Sequence, residues 1–465
     1  MSALADYRSR LEGHLAELAA EHRVPGAVCG VLVGDETAVA AYGVANVVTG
    51  TPVGPATLFQ LGSITKVYTA TLVMQAVGAR VISLDEPVRS PLQEFTVADP
   101  AATIEITPRH LLTHTSGLEG DHLIDTGWNH DALARYVATL AGLGQIHPTD
   151  DAYSFCNTGY GVVGRLLEVT TGDHFDRVLR RRLTRPLGCR ATVTLPQHAL
   201  LHDVAVGHVQ APGAAPVRQP RWSLTRSNGP MGGIVAPAGE LLAFARMHLR
   251  AGRAADGDDL LTPAAVEAMQ RPHALGAVPG ESSALGWTVR RWGHLTCLGQ
   301  DADTFGQRAL LRVVPERDLA VCAMVNSPAG APVIQAMVER VAADLLDLGP
   351  DAVDPLAGVA GGDPAVAPAE AAALEGTYDR LHQRIVVTGA DGALQLTTEP
   401  SGVLRALGVG DTELSMTVLG RGEGCVVAAG SDPVSGLREG AVFTSEADDR
   451  PAGLYLQGRL HRRTA

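Results

Sequence analysis

Aromatic residues are scarce in this chain. Phenylalanine, tryptophan and tyrosine make up 4 % of its 465 residues, and no basic patch interleaved with rings is present to stack on nucleobases. Positive charge is also in the minority: 37 basic residues against 50 acidic ones leave a formal net charge of −13. Such a field disfavours nucleic acid as a partner and favours solubility. No apolar run approaches the ~20 residues that a membrane-spanning helix needs, so no membrane partner is expected. The opening Met1-Ser2-Ala3-Leu4-Ala5-Asp6-Tyr7-Arg8 lacks the apolar centre of a secretory signal. The six cysteines (Cys29, Cys156, Cys189, Cys297, Cys322, Cys425) include no C-x-x-C pair. They read as buried, reduced thiols of a cytoplasmic protein, not as a disulfide framework or a zinc site. Neither a metal nor a cofactor is expected.

What is there is a chain carried by alanine, glycine and valine, long enough for two or more cores. Residues 3–22 place Leu4, Tyr7, Leu11, Leu15 and Leu18 on one helical stripe. Two short strands are predicted next, 27–33 and 38–42, joined by Gly34-Asp35-Glu36. Helical patterns are predicted from Ser63 to about Gly78, over 110–118, over 129–142, from Asn157 onward, and over 238–249 after the tight loop 228–233. Strands are predicted at 285–290, 309–314 and 320–326, then a helix over 332–347. Strands at both ends with helices between them predict an α+β fold, an antiparallel sheet whose first and last portions meet beneath a helical cover. Residues 349–376 turn to Pro, Ala and Gly and read as a linker with a short helix. Six short apolar runs follow, at 385–388, 394–398, 414–419, 425–428, 441–445 and 454–457, predicting a small antiparallel β-barrel or sandwich. The expected division is 1–348, 349–376 and 377–465.

The chemistry concentrates in Phe59-Gln60-Leu61-Gly62-Ser63-Ile64-Thr65-Lys66. Ser63 and Lys66, three apart where an amphipathic helix begins, lie on one helical face. A hydroxyl is a poor nucleophile until a base takes its proton, and a neutral amine one turn away can do so. Burial favours the neutral amine. The bland alternative is a chance pair on a surface helix. Other candidates weigh less: His110 and His114, four apart, are at most half a metal site. Gly280-Glu281-Ser282-Ser283-Ala284 has the look of a nucleophile elbow but precedes a strand, not a helix, and so reads as a loop. Cys156 and Cys297 read as inert buried thiols. Arg459 has two readings, a bidentate donor reaching over a cleft to a substrate carboxylate or a solvated arginine beside Arg462 and Arg463.

Further segments keep Ser63 company: Leu111-Leu112-Thr113-His114-Thr115-Ser116-Gly117-Leu118, Asn157-Thr158-Gly159-Tyr160 before a helix containing Gly164, Gly232-Gly233-Ile234, and Phe305-Gly306-Gln307. In this order, over roughly residues 10–345, the chain resembles the penicillin-recognising serine hydrolases, which include class C β-lactamases, D-alanyl-D-alanine carboxypeptidases and related esterases. The resemblance implies a β-lactamase/transpeptidase-like sheet flanked by helices, with a helical subdomain. The linker and the ending Leu454-Tyr455-Leu456-Gln457-Gly458-Arg459 resemble the lipocalin-like appendage of penicillin-binding-protein-type thioesterases, which cyclise nonribosomal peptides in actinobacterial pathways. By that resemblance Ser63 is the acyl-accepting nucleophile, Lys66 its base, and Asn157 the amide that orients the lysine and a substrate carbonyl. The Ser63 N–H and one near Ala302–Phe305 would form the oxyanion hole. Phe155, Gln300, Asp301, Ala302 and Arg459 would line the substrate.

Two departures from the family stand out. Its Tyr-x-Asn motif is Phe155-Cys156-Asn157 here, so the ring stays and the ionisable oxygen is gone. Its Lys-Thr-Gly or His-x-Gly motif is Gln300-Asp301-Ala302, unless a shifted register lets His294 or Cys297 serve. Tyr153 and Tyr160 are the phenols nearest in sequence. Losing a positioned acid or base costs ~10²–10⁴ in rate, so ordinary β-lactam or D-Ala-D-Ala turnover is expected to be very poor. Three function classes stay open. One is a serine acyl-enzyme of bacterial specialised metabolism acting on an ester, thioester or amide, including a peptide or a carrier-protein-bound acyl group. The second is a scaffold repurposed for non-hydrolytic chemistry such as cyclisation or ring opening. The third is a catalytically silent binding protein.

Overall fold

The computed structural model describes residues 3–209, 214–222, 224–357, 372–390, 393–406, 409–422, 425–432, 438–445 and 451–465. Strand β1 (Gly26–Val33) pairs antiparallel with β2 (Glu36–Asn46) on one side and with β9 (Leu319–Val325) on the other. The expected meeting of the first and last sheet portions is therefore present. The full nine-stranded order is β3 (Thr51–Pro52), β2, β1, β9, β8 (Gln307–Val314), β7 (Leu295–Thr304), β6 (Thr288–Trp292), β5 (Ser282–Ser283) and β4 (Ala274–Leu275). Side chains alternate across a strand, so β1 sends Val28 and Leu32 into one core and Ala27, Cys29 and Val31 into a second. That is why its sequence is apolar without interruption.

Helices α1 (Ala3–Glu21) and α5 (Ala331–Leu346) share the smaller core on one face of the sheet. On the other face lie α2 (Thr65–Gly78) and α4 (Ala238–Leu249), with α3 (Asn157–Thr171) in the same core. The α2 run, read as amphipathic, is buried continuously from Thr65 to Met74. A helix buried on every side belongs at the centre of a fold. Two boundaries differ from expectation. The helix predicted over 110–118 is Pro108–Leu112 only, because His114 (φ 61°) and Gly117 (φ 73°) turn the chain left-handed. The strand predicted from Leu285 begins at Thr288. Gly286 (φ 85°) instead folds the preceding loop onto α2, where a Cβ would lie 2.7 Å from that of Ala70.

The C-terminal part is a closed antiparallel barrel of eight strands, β10 (Gly376–Arg380), β11 (Gln383–Ala390), β12 (Ala393–Pro400), β13 (Thr412–Gly422), β14 (Cys425–Ser431), β15 (Arg438–Ser445), β16 (Pro451–Leu456) and β17 (Arg459–Arg463). Its interior is filled by residues such as Tyr378, Ile385, Leu394, Met416, Phe443 and Leu454. Six strands were expected. The two that sequence patterning missed, β10 and β17, read Gly-Thr-Tyr-Asp-Arg and Arg-Leu-His-Arg-Arg, too polar to register as strands. They also close the barrel. Half of the predicted linker, 358–371, lies outside the described residues. A fourth apolar cluster joins the outside of the barrel (Val427, Val442, Tyr455, Leu460) to Ile146, Ala277 and Leu356. Among the described residues no helix is long and apolar enough to cross a membrane.

Candidate active site

Ser63 sits in a 3-10 turn, Gly62–Ile64, that leads directly into α2. The turn needs its glycine: Gly62 has φ 46°, and a Cβ there would be 3.1 Å from the Ala302 Cβ on β7. Around it the chain is pinned by main-chain bonds. The Leu61 N–H donates to Ile234 O (2.8 Å), the Ile234 N–H to Thr65 Oγ1 (3.1 Å), and the Gln60 N–H to Gln307 Oε1 (3.0 Å). The Gly232-Gly233-Ile234 and Phe305-Gly306-Gln307 segments thus work as buttresses for the nucleophile turn. Ser63 itself is half-buried.

Lys66 is fully buried, and its Nζ has three neighbours: Ser63 Oγ at 3.0 Å, Asn157 Oδ1 at 2.7 Å and Met231 O at 2.8 Å. Two of these are carbonyl oxygens, which only accept. A neutral amine has two N–H groups and one lone pair, so it can satisfy both carbonyls and still accept the Ser63 proton. Burial above all, then the nearby Arg459, lower its pKa to about 7, against the opposing pull of Asp121 and Cys156. Composition holds a signal that motif reading passed over: Lys66 is the sole lysine among the 37 basic residues. Arginine stays protonated in proteins, so no other of these cations can act as a base.

Asn157 is the first residue of α3, whose N-terminus is capped by Cys156 Sγ accepting from the Gly159 N–H at 3.3 Å. Its amide is oriented by Asp121, whose Oδ1 accepts from Asn157 Nδ2 at 2.7 Å. A carboxylate only accepts, so the amide oxygen must face Lys66. Asp121 is buried, and two arginines reach it from the barrel. Arg459 Nε donates to Oδ2 at 2.7 Å and Nη2 to Oδ1 at 3.3 Å, while Arg380 Nη1 forms an ion pair with Oδ2 at 2.7 Å. Burial pushes this carboxyl up, but Arg459 and Arg380 hold it well below the usual range. Neither Asp121 nor Arg380 was singled out from sequence. One lies in an irregular loop, and the other ends a strand that patterning missed.

Phe155 lies over the site with its ring centroid 4.7 Å from Lys66 Nζ, 4.8 Å from Arg459 Cζ and 4.7 Å from the His114 ring. No phenol takes the place of the missing oxygen. The Tyr160 ring is 5.5 Å from Lys66 Nζ, but its hydroxyl donates to Leu112 O (2.9 Å). The Tyr153 hydroxyl is turned towards Gly458 of the barrel. His114, which burial holds neutral, accepts the Cys156 N–H on Nδ1 (2.9 Å), and His110 accepts the Thr107 N–H (3.2 Å) in a helix cap.

The strand beside Ser63 separates its residues by face. Ala302 packs on Gly62, and Gln300, on the same face, is buried with its Nε2 donating to Gly286 O at 2.8 Å. Asp301 points to the opposite face, where Arg312 (2.7 Å) and Arg290 (2.8 Å) hold it. Ser63, Lys66, Asn157, Phe155, Ala302 and Arg459 therefore come together, and the Gln300 and Asp301 side chains are engaged elsewhere. The register-shift alternatives fail on position: at ~3.3 Å per residue Cys297 lies roughly 17 Å along β7 from Ala302, and His294 lies in the turn before that strand begins. The solvated reading of Arg459 fails as well, since three of its N–H groups bond to Asp121 and to Gln457 O.

A helix-start Ser–Lys pair beside an antiparallel sheet, with an asparagine holding the lysine, defines a serine acyl-enzyme architecture of the β-lactamase type. Residues 11–344 match the Beta-lactamase family model, and the chain belongs to that family of serine hydrolases. Penicillin-binding protein 4 of Amycolatopsis lactamdurans is 38 % identical over 370 residues, 78 % of this chain and 95 % of that protein. The unguisins hydrolase ungD' of Aspergillus campestris is 23 % identical over 352 residues, 70 % of this chain and 63 % of that one. The crystal structure of SurE superposes with a TM-score of 0.75 at 29 % identity, covering 99 % of this chain and 100 % of SurE. SurE has also been solved with D-Leu.

Proposed function

We propose that this chain is an acyl-transferring serine enzyme that takes an ester, thioester or amide carbonyl onto Ser63. The observation that carries the reading is the 3.0 Å contact between Ser63 Oγ and a buried lysine that, among the described residues, has no acid partner of its own. In acylation the Ser63 oxygen bonds to the carbonyl carbon while its proton passes to Lys66 Nζ. The tetrahedral oxyanion would be met by main-chain N–H groups of Ser63 and the Ala302–Asp303 segment. Collapse breaks the bond to the leaving group, which takes the proton back from Lys66. An amine, alcohol or water then repeats the cycle in reverse.

Phe155 biases that second half. Water is a weak nucleophile and needs a well-placed base, whereas an amine needs less help. The acyl-enzyme should therefore live long enough to be captured by an amine, as in release or cyclisation of a peptide in bacterial specialised metabolism. The SurE–D-Leu complex supports a D-residue at the reacting carbonyl or next to it. A carrier-protein-bound acyl group is a further donor of this kind, and Ser63 is only half-buried. Arg459, with two of its five N–H groups unspent, would face an acceptor on the substrate.

A fluorophosphonate read out by intact mass should add one phosphonyl group, and Ser63→Ala should abolish the addition. D-aminoacyl thioesters should acylate faster than their L-counterparts. An unlabelled native protein, or turnover that survives Ser63→Ala, would overturn the reading in favour of non-acyl chemistry.

A further inference from the structure

We propose that the barrel is part of the proton-transfer machinery, with Arg380 and Arg459 as positioning residues that act on Lys66 through Asp121 and Asn157. The purpose of the device rests on the acyl-enzyme reading above, but its geometry does not. Two hairpin tips of the barrel grip the two loops that frame the site. At the β10–β11 tip, the Leu381 N–H donates to Glu119 Oε1 at 3.1 Å, and Arg380 just before it reaches Asp121. At the β16–β17 tip, Gln457 (φ 51°) and Gly458 (φ 77°) form a tight turn whose Gly458 O accepts the Phe155 N–H at 2.9 Å. Arg459 just after it reaches the same carboxylate.

Asp121 would be costly to bury alone. Paired on both sides, it stays ionised and keeps the Asn157 amide from turning its NH2 group onto the lysine. The groups facing Lys66 are Ser63 on its own helical turn, His114, Asp121, Phe155 and Cys156 from the two loops, Asn157 and Tyr160 from α3, Met231 O, and Arg459 from the barrel. His114, Cys156 and Tyr160 are neutral near pH 7, which leaves Asp121 and Arg459 as opposing charges on the amine. Arg380 enters by neutralising Asp121. Its Nε and Nη2 are bound to Gln383 and His461, so it cannot swing towards Lys66.

A sole lysine makes the test direct. Full-length protein labelled with ε-13C lysine gives one side-chain signal, which can be followed across roughly pH 5–10. Arg459→Gln and Arg380→Gln should each move the Lys66 midpoint up by about half a pH unit or more. Asp121→Asn should move it down. A purely structural role predicts unchanged midpoints, or shifts of one common sign, in variants that still melt cooperatively, and either result overturns the proposal. If Arg380→Gln does not fold, the near-isosteric Asp121→Asn decides by the sign of its shift. Failure of Ser63 to label with fluorophosphonate would sink the acyl-enzyme reading while leaving these midpoints as they are.

Discussion

A lysine with an ordinary pKa of ~10.4 is neutral in only about one molecule in 2,500 at pH 7. In this site burial and Arg459 bring Lys66 to about 7, so near neutrality half of the molecules hold a base beside Ser63. The sign follows: the neutral amine is the active form, so Ser63 acylation should climb through about pH 7 and level off above it. A labelling rate that is flat across this range would contradict the assignment. Phe155 is the residue most open to repair. Its ring already lies against Lys66 and Arg459, so Phe155→Tyr would return a phenol to the side of the amine. Hydrolysis of a simple ester should then rise by at least about tenfold, within the range of a restored acid–base group. No rise would mean that the relay does not limit turnover.

At the scale of elements, the lysine is held by a packing contact as much as by hydrogen bonds. Gly164 on α3 faces Pro230, and an added Cβ would lie 2.1 Å from Pro230 Cγ. Pro230 O accepts from Thr69 Oγ1, and the next carbonyl, Met231 O, accepts from Lys66. Gly164→Ala should therefore cost about 1–3 kcal/mol of stability through overpacking and displace the carbonyl that anchors the amine. Thermal melting should fall by a few degrees, and Ser63 labelling should slow by about tenfold. An unchanged Tm with native labelling would show that the segment yields freely. The parts of the site that could be read from the chain are those made by local pattern: Ser63 and Lys66 one turn apart, and Asn157 at a helix start. Asp121, Arg380 and Met231 O escaped because their roles arise from contacts between residues 36 to 338 apart in the chain. Gln300 and Asp301 were placed on the right strand, but the alternation of side chains sends one into the wall and the other to the opposite face.

For the whole molecule, the question is whether sheet and barrel are one cooperative body. Strand β14 carries Val426 and Ala428 into the barrel core while Val427 and Ala429 turn outward. An unbroken apolar run in a barrel strand means that its outer face is covered too, and here Tyr455, Leu460, Ile146, Ala277 and Leu356 complete that cover. Undocking would expose this cluster and strand the buried Asp121 between two lost arginines. Both costs oppose separate unfolding. All four tryptophans (Trp128, Trp222, Trp287, Trp292) precede the barrel in the chain, so their fluorescence follows the sheet part, whereas circular dichroism follows both. The two probes should give coincident transitions for the native protein. Leu460→Ala, which removes a mostly buried side chain from the seam, should cost about 2–5 kcal/mol and pull the dichroism transition below the fluorescence one. It should also slow Ser63 labelling, because the β16–β17 tip holds both Arg459 and the Phe155 main chain. Transitions already separated in the native protein would mean that the barrel melts on its own, and its arginines could then hold Asp121 only while docking lasts.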